Sequence, residues 1–241
     1  MTSRRRWIPT WVWLAGTTVL LSAQDPGEPE GVRRDRSAMV DLIARRGVKD
    51  SATLAAMRAV PRHQFVPAQY RSQAYEDHPI PIGLGQTISQ PYIVAYMTEA
   101  VRPESGLKVL EVGTGSGYQA AVLARIGCRV FTIEIFPQHA ESARTRLQRL
   151  GFRNVSVRAG DGHFGWREEA PFQAILVTAA AGYIPPDLID QLAPGGRMLI
   201  PVGSPGGVQH LTQVEKDARG KVTTRNLLPV AFVPLLRAPD R

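Results

Sequence analysis

The run from Val109 to Tyr118 constrains the fold of this chain most strongly. Its mostly apolar first residues predict a buried strand, which leads into a glycine-rich turn and then into a helix. Gly113, Gly115 and Gly117 keep the bend free of side chains, so that a ligand can lie against the backbone. The free N–H groups of the following helix point to the same place. The run therefore predicts a strand–turn–helix unit with a ligand at the turn.

Two acidic residues near this turn indicate which ligand it holds. Glu134 ends the next hydrophobic run, about 21 residues after Gly113, where one carboxylate can accept from both hydroxyls of a ribose. Glu111 precedes Gly113 by two positions, where its charge would repel the pyrophosphate that a G-x-G-x-x-G turn binds. The same charge would attract the sulfonium and ammonium groups of S-adenosylmethionine. The pattern predicts S-adenosylmethionine as the cofactor, and a tight turn without a ligand is the alternative.

Predicted strands and helices alternate from residue 107 onward. The strands are 108–112, 129–134, 154–158, 173–178 and 197–202, and the helices are 117–126, 138–150 and 186–192. Such alternation is typical of an α/β, Rossmann-like fold with a doubly wound, mostly parallel sheet. Pro-Gly-Gly at 194–196 predicts a turn before the last of these strands, and 208–215 and 222–235 predict antiparallel strands after it.

Ligands of such sheets bind beyond the carboxyl ends of the parallel strands. The residues at or just beyond these ends are Glu111, Gly113, Glu134, Asp161 and Thr178. Their convergence supports a ligand site independently of the glycine pattern.

The part of the chain before the alternating elements predicts three helices and a loop. The helices are 37–46, 51–60 and 92–101. Asp50 can cap the second helix, and Pro61 stops it. Residues 79–91 contain several prolines and glycines and predict a loop.

The first 23 residues differ in composition from the rest of the chain. Three arginines at 4–6 precede a mostly apolar run at 7–21 and then small residues, the layout of a secretory signal peptide. Residues 24–36 predict a polar linker. We expect residues 37–241 to form a single catalytic domain, in which 37–106 make a helical region on the substrate side.

Composition argues against several classes of function. Cys128 is the single cysteine, which excludes a disulfide framework or a cysteine-based zinc cluster within the chain and predicts a small buried residue. The five histidines show no metal-ligand spacing, so no metal is predicted. The net charge is +8, but no aromatic residues interleave with the basic ones, so nucleic-acid binding is not expected. The arginines at 144, 146 and 149 predict a solvated helix face.

Several stretches between about residues 37 and 236 together carry a resemblance to one family. They are Gln86–Tyr92, Leu110–Gln119, Gly160–Gly162, Val177–Ala180, Leu192–Gly196, Pro201–Gly203 and Phe232–Leu235. They resemble the protein-L-isoaspartate (D-aspartate) O-methyltransferases, most specifically in the Thr-Ile-Ser-Gln-Pro stretch, which generic methyltransferases would not share. The resemblance implies methyl esterification of the free carboxylate of L-isoaspartyl residues. The ester then cyclises to a succinimide, which hydrolyses partly to normal aspartate.

The resemblance carries Ser89 over as the active-site residue, and we expect its hydroxyl to hold the substrate carboxylate with support from Thr87. The alternative is that both hydroxyls merely cap the helix near Tyr92. An ionised carboxylate and a sulfonium methyl need no general base, metal or covalent nucleophile. Asp161 would meet the adenine amino group or, alternatively, serve only in a turn. The expected cofactor-binding residues are Glu111, Gly113, Thr114, Gly115, Gly117, Glu134, Asp161 and Gly162.

Location, partners and competing functions complete the expectations. Gln173 stands where the family usually has an acid, which weakens any claim for a charge there. Because S-adenosylmethionine is made in the cytosol and the family is cytoplasmic, we predict a cytoplasmic monomer, with export as the alternative. Its partners would be isoaspartyl proteins and peptides, without nucleic acid or a stable membrane partner. The competing functions are a nucleotide-dependent oxidoreductase, a methyltransferase for another carboxylate and a non-catalytic binding module.

Overall fold

The computed structural model of the protein describes residues 28–204 and 207–238. The helices are α1 (Glu30–Arg45), α2 (Ser51–Ala59), α3 (Pro91–Ala100), α4 (Tyr118–Ile126), α5 (Pro137–Arg149) and α6 (Pro186–Gln191). The strands are β1 (Ile80–Gly83), β2 (Gln86–Ile88), β3 (Lys108–Val112), β4 (Arg129–Glu134), β5 (Val155–Ala159), β6 (Phe172–Val177), β7 (Leu192–Val202), β8 (Gln209–Lys216) and β9 (Val222–Val230). Short 3-10 helices lie at Arg62–Phe65, Ala68–Gln73, Gly162–Phe164 and Arg167–Glu169. The signal-like segment 1–23 lies outside the described residues.

Strands β3 to β9 form one sheet in the order β5-β4-β3-β6-β7-β8-β9. The first five strands in this order are parallel, and β8 and β9 pair antiparallel with their neighbours. The chain winds outward from β3 in both directions, so the strand order reverses between β3 and β6. Such a reversal opens a crevice for ligands at the carboxyl ends of the strands. The predicted fold class is confirmed.

The N-terminal helices share their core with helices of the sheet domain. Met39 of α1, Met57 of α2 and Val94 of α3 belong to the same buried cluster as Tyr118 of α4 and Leu147 of α5. Strands β3, β4 and β6 are buried at almost every position, as expected for parallel strands with both faces covered. The region from α1 to α3 is therefore packed directly against the elements that carry the glycine turn.

Helix α1 begins at Glu30, seven residues before the predicted start at residue 37. The described part of the predicted linker is therefore mostly helical. Two charged residues of this polar segment form a buried ion pair, in which Arg36 binds both carboxylate oxygens of Glu28 at 2.5 and 2.7 Å. The exposed fraction of Arg36 is only 9%, so this charge anchors the start of the helix rather than facing solvent.

Residues 79–91 were predicted to form a loop, and the structure instead contains the antiparallel hairpin β1–β2. Ile80 pairs with Ile88 and Pro81 with Thr87. The turn between the strands carries Leu84 and Gly85, both with positive φ. Ile80 and Ile88, at the two ends of the hairpin, are buried in the same core as residues of α1 to α3. This burial explains why the segment forms paired strands although it is rich in proline and glycine.

Two other boundaries differ from the prediction, and the remaining elements agree within one residue. The Pro-Gly-Gly turn at 194–196 lies inside β7 as an irregularity: Phe172 pairs with Leu192, but Ala174 pairs with Arg197. Strand β9 ends at Val230 instead of residue 235. The chain beyond it returns across the sheet, where Pro234 bridges to Ala180.

Candidate active site

A cavity of about 730 Å³, counted with its open mouth, lies at the carboxyl ends of β3, β4 and β6. One wall is formed by residues of the glycine turn and by Glu111 and Glu134, and the opposite wall by residues 86–89 of the hairpin. The structure therefore brings the predicted cofactor turn and the predicted acceptor loop into one space.

The glycine turn has the left-handed backbone that glycine favours, with φ of +101° at Gly113, +50° at Gly115 and +86° at Gly117. A Cβ at Gly113 would lie 2.4 Å from Oγ1 of Thr178, which donates to the Gly113 carbonyl at 2.7 Å. A Cβ at Gly117 would lie 3.2 Å from Leu147. These two glycines are thus required by packing within the protein.

The turn glycines differ in their relation to the cavity. Gly113 and Gly115 line it, whereas Gly117 does not and faces α5 instead. Packing against α5 accounts for Gly117, and its expected place on the methionine and ribose side stays a prediction. Thr114, between the first two, lines the cavity and is buried.

Glu134 holds the turn and faces the cavity. Its Oε2 accepts from the amide of Gly115 at 2.7 Å, and its Oε1 accepts from the amide of Phe136 at 3.0 Å. Its exposed fraction is 4%. Two backbone donors leave lone pairs on both oxygens, so the carboxylate can also accept from the hydroxyls of a ribose.

Glu111 is fully buried in the cavity wall. Its Oε2 accepts from the Thr132 hydroxyl at 2.5 Å, and Thr132 is in turn 2.7 Å from the hydroxyl of Thr114. Its Oε1 has no hydrogen-bond partner among the described residues. Burial raises the pKa of Glu111 to about 8; the Thr132 bond opposes this rise and the nearby Glu134 charge adds to it. An unpartnered carboxylate oxygen at this place fits a cationic group such as an ammonium.

Thr87 and Ser89 both line the cavity, on β2 and directly after it. The alternative that they cap α3 is wrong, because the cap comes from elsewhere. Asp77 accepts from the amide of Tyr92 at 2.9 Å, and the N-cap residue Gln90 makes no side-chain cap. The carbonyl of Ser89 accepts from Arg62 at 2.8 Å. Both hydroxyls are thus placed beside the cavity without serving the helix.

Asp161 does not line the cavity, although its neighbour Gly162 does. Its Oδ1 accepts from the amide of His163 at 2.9 Å, which caps the 3-10 helix that follows. Its Oδ2 accepts from the amide of Ala238 at 3.1 Å and pairs with Arg237 at 3.2 Å. Burial acts to raise the pKa of Asp161, but these hydrogen bonds outweigh it and lower the pKa. The carboxylate therefore fixes a turn and the C-terminal segment, as in the turn alternative.

The C-terminal segment contributes a wall that the sequence patterns did not assign to the site. Val233, Pro234, Leu235 and Leu236 line the cavity. The Ala180 amide donates to the Val233 carbonyl at 2.8 Å, and the Leu235 amide donates back to the Ala180 carbonyl at 2.7 Å. The resemblance of Phe232–Leu235 to the family was the one signal in the sequence for this wall. The sequence alone does not show where that stretch lies relative to the sheet.

The remaining predictions concern residues that lie away from the cavity. Gln173 accepts from the Lys108 amide at 2.7 Å at the amino end of β6, so its departure from the family pattern lies at the opposite end of the sheet. The solvated face expected for the α5 arginines is wrong for Arg146, which donates to the Ser116 carbonyl at 2.9 Å. Cys128 is buried, as predicted. Within residues 28–204 and 207–238, no group of side chains is suited to hold a metal ion.

No helix in the described ranges combines the length and the apolar character that crossing a bilayer requires.

The chain matches a family described as protein-L-isoaspartate(D-aspartate) O-methyltransferase over residues 33–239. It is 61% identical over 186 residues to protein-L-isoaspartate O-methyltransferase 2 of Syntrophobacter fumaroxidans, covering 77% of this chain and 75% of that one. It is 52% identical over 220 residues to protein-L-isoaspartate O-methyltransferase 1 of Nitrosospira multiformis, covering 91% and 92%. A solved protein-L-isoaspartate O-methyltransferase has a TM-score of 0.75 at 29% identity, over 83% of this chain and 65% of that one. This chain therefore belongs to the protein-L-isoaspartate(D-aspartate) O-methyltransferase family.

Proposed function

We propose that this protein transfers the methyl group of S-adenosylmethionine to the free carboxylate of L-isoaspartyl residues in damaged proteins, with Ser89 and Thr87 as the acceptor-binding residues. Membership of the family carries the reaction, the cofactor and the class of substrate. The observation that carries the assignment of residues is the single cavity between the Thr87–Ser89 loop and the Gly113 turn.

The residues of one wall fit the cofactor. Glu111 offers its unpartnered oxygen to the ammonium of the methionine end, and Glu134 offers lone pairs to the ribose hydroxyls. Gly113 and Gly115 let the ligand approach the backbone of the turn. When bound, S-adenosylmethionine supplies a methyl group that its sulfonium already activates. Asp161 and Gly117 do not line the cavity, so the proposal that they bind the cofactor has only the sequence pattern to support it.

The opposite wall fits an acceptor that needs orientation rather than activation. A carboxylate with a pKa of about 4 is ionised at neutral pH, so no general base has to remove a proton. The Ser89 hydroxyl would donate to one carboxylate oxygen and leave the other free to react, with Thr87 beside it at the mouth. Ile88, Val94 and Leu235 give the cavity apolar surface that excludes water. Catalysis then consists of alignment and desolvation.

The remaining parts of the proposal concern the whole molecule. We propose one catalytic domain over residues 37–241, active as a cytoplasmic monomer on isoaspartyl proteins and peptides, without nucleic-acid or stable membrane partners. The supply of S-adenosylmethionine in the cytosol supports the location. The shared core of α1 to α3 with α4 and α5 supports the single domain.

The test uses labelled S-adenosylmethionine and two peptides that differ only in one aspartyl linkage, iso or normal. We expect label on the iso peptide alone, in a base-labile ester. Labelling of both peptides, or of small carboxylic acids instead, would indicate a methyltransferase with another acceptor. Cofactor binding without transfer to any acceptor would contradict the proposal.

A further inference from the structure

Arg62 is a fully buried cation. It is 0% exposed, and no carboxylate of the described residues lies within ion-pair distance of it, whereas the buried Arg36 pairs with Glu28. Burial lowers the pKa of the Arg62 guanidinium to about 10, and Tyr118, Tyr75 and Asp77 act against this fall, so it is still protonated at neutral pH. A buried charge is tolerated only where the groups around it satisfy it, so the contacts of Arg62 indicate its role.

The contacts of Arg62 join the two walls of the cavity. Its Nε donates to the Ala74 carbonyl and its Nη2 to the Ser89 carbonyl, both at 2.8 Å, while Nη1 has no partner among the described residues. The guanidinium carbon lies 4.7 Å from the ring centroid of Tyr118. Tyr118 is the first residue of α4, directly after the glycine turn, and it lines the cavity.

The acceptor loop is thus held from two sides. Arg62 holds the carbonyl of Ser89, and Asp77 holds the amide of Tyr92 at 2.9 Å. The planar guanidinium has its donors in a rigid fork, so it sets the position of the Ser89 peptide relative to the Ala74 carbonyl and the Tyr118 ring.

We propose that Arg62 is a positioning residue for methyl transfer, which sets the distance between the Ser89 peptide and the cofactor turn through Tyr118. The inference rests on the proposed function, because it requires Ser89 to hold the acceptor. In-line transfer depends on the spacing of the acceptor oxygen and the methyl carbon, and a misplacement of about 1 Å can cost about 100-fold in rate.

Two variants separate this role from a merely structural one. Arg62→Met removes the charge and both hydrogen bonds at similar volume, and because the Ala74 and Ser89 carbonyls then lose this donor, the Tm of the variant is measured to check that it folds. Arg62→Lys keeps the charge but cannot span both carbonyls. Arg58→Lys is the matched control, because Arg58 is an exposed arginine of the same region that pairs with Asp41.

For each protein, kcat and KM for an isoaspartyl peptide are measured together with the Kd and stoichiometry of S-adenosylhomocysteine. We expect kcat to fall about 100-fold in Arg62→Met and about 10-fold in Arg62→Lys. The Kd and stoichiometry should change less than threefold, and Arg58→Lys should match the parent protein. A kcat within threefold of the parent in a variant that binds S-adenosylhomocysteine would overturn the inference. So would parallel loss of kcat and binding in both variants, which indicates a role in folding. An inactive parent protein would instead contradict the proposed function.

Discussion

The two walls of the cavity are built in different ways. The cofactor wall is one continuous strand–turn–helix segment, in which β3, the glycine turn and α4 follow one another, and the side chains of Thr178 and Glu134 bind the backbone of the turn. The acceptor wall contains the second strand of a short hairpin and Ser89 directly after it, and the side chains of Arg62 and Asp77 bind the backbone of Ser89 and Tyr92. One wall is thus formed by a single continuous segment, whereas the position of the proposed acceptor loop depends on side chains from the region that precedes the hairpin.

The largest effect is expected on the cofactor wall, for Gly113→Ala. A methyl group there would lie 2.4 Å from Thr178 Oγ1, at a φ of +101° that an alanine rarely adopts. We expect S-adenosylhomocysteine binding to fall below detection by calorimetry, and the free energy of unfolding to fall by at least about 2 kcal/mol. Gly31→Ala in α1, where no atom lies within 4 Å, is the control and should fold normally. Tight binding by Gly113→Ala would show that the turn is not built as rigidly as described.

Next comes the acceptor wall, where Ser89→Ala should leave the cofactor wall intact. We expect kcat to fall about 100-fold, because the acceptor carboxylate is no longer held in line with the methyl carbon, without a change in S-adenosylhomocysteine Kd. Steady-state kinetics and calorimetry on the same sample check this. Ser156→Ala in β5, far from the cavity along the sheet, is the matched control. Unchanged turnover in Ser89→Ala would remove the assigned role.

A smaller, pH-dependent effect is expected for Glu111→Gln. Because burial raises the folded-state pKa of Glu111 from an ordinary 4.5 to about 8, the folded protein binds a proton that the unfolded chain releases between these values. The stability of the ligand-free protein should therefore fall as pH rises through this window, and Glu111→Gln should lack that loss.

Thermal unfolding of both proteins at pH 5 and pH 8 measures this difference. The advantage in Tm of Glu111→Gln should be larger at pH 8, while its affinity for S-adenosylhomocysteine should be about 10-fold weaker, since the ammonium loses its charged partner. An equal difference in Tm between the two proteins at pH 5 and at pH 8 would contradict the buried, unpartnered state of Glu111.

The smallest effect is expected for Gln173→Glu, which restores the usual acid of the family. Gln173 accepts from the Lys108 amide through Oε1, and a carboxylate would accept in the same way. We expect kcat within twofold and a change in unfolding free energy within about 0.5 kcal/mol, because the site lies at the far end of β6. A large gain in activity would mean that the two ends of the sheet are coupled.

The same contrast explains which residues the sequence could predict. Glu111, Gly113 and Glu134 follow from local pattern, because the carboxyl ends of neighbouring parallel strands meet at one edge of the sheet. The hydroxyls of Thr87 and Ser89 came only through the family resemblance, since a proline- and glycine-rich segment predicted a loop and the structure forms a hairpin. The contacts of Asp161 with Arg237 and Ala238 had no signal in the sequence, because these partners lie more than 70 residues further along the chain.

By itself, the sequence determined the alternation of strands and helices from residue 107 onward, the doubly wound class and the cofactor edge, because hydrophobic periodicity and glycine spacing act over a few neighbouring residues. Only the tertiary structure decided that Gly117 serves packing against Leu147, that Asp77 caps α3 and that Arg62 lies between the two walls. These contacts join residues 15 to 56 positions apart, where the relative placement of packed elements, and not local preference, selects the partner.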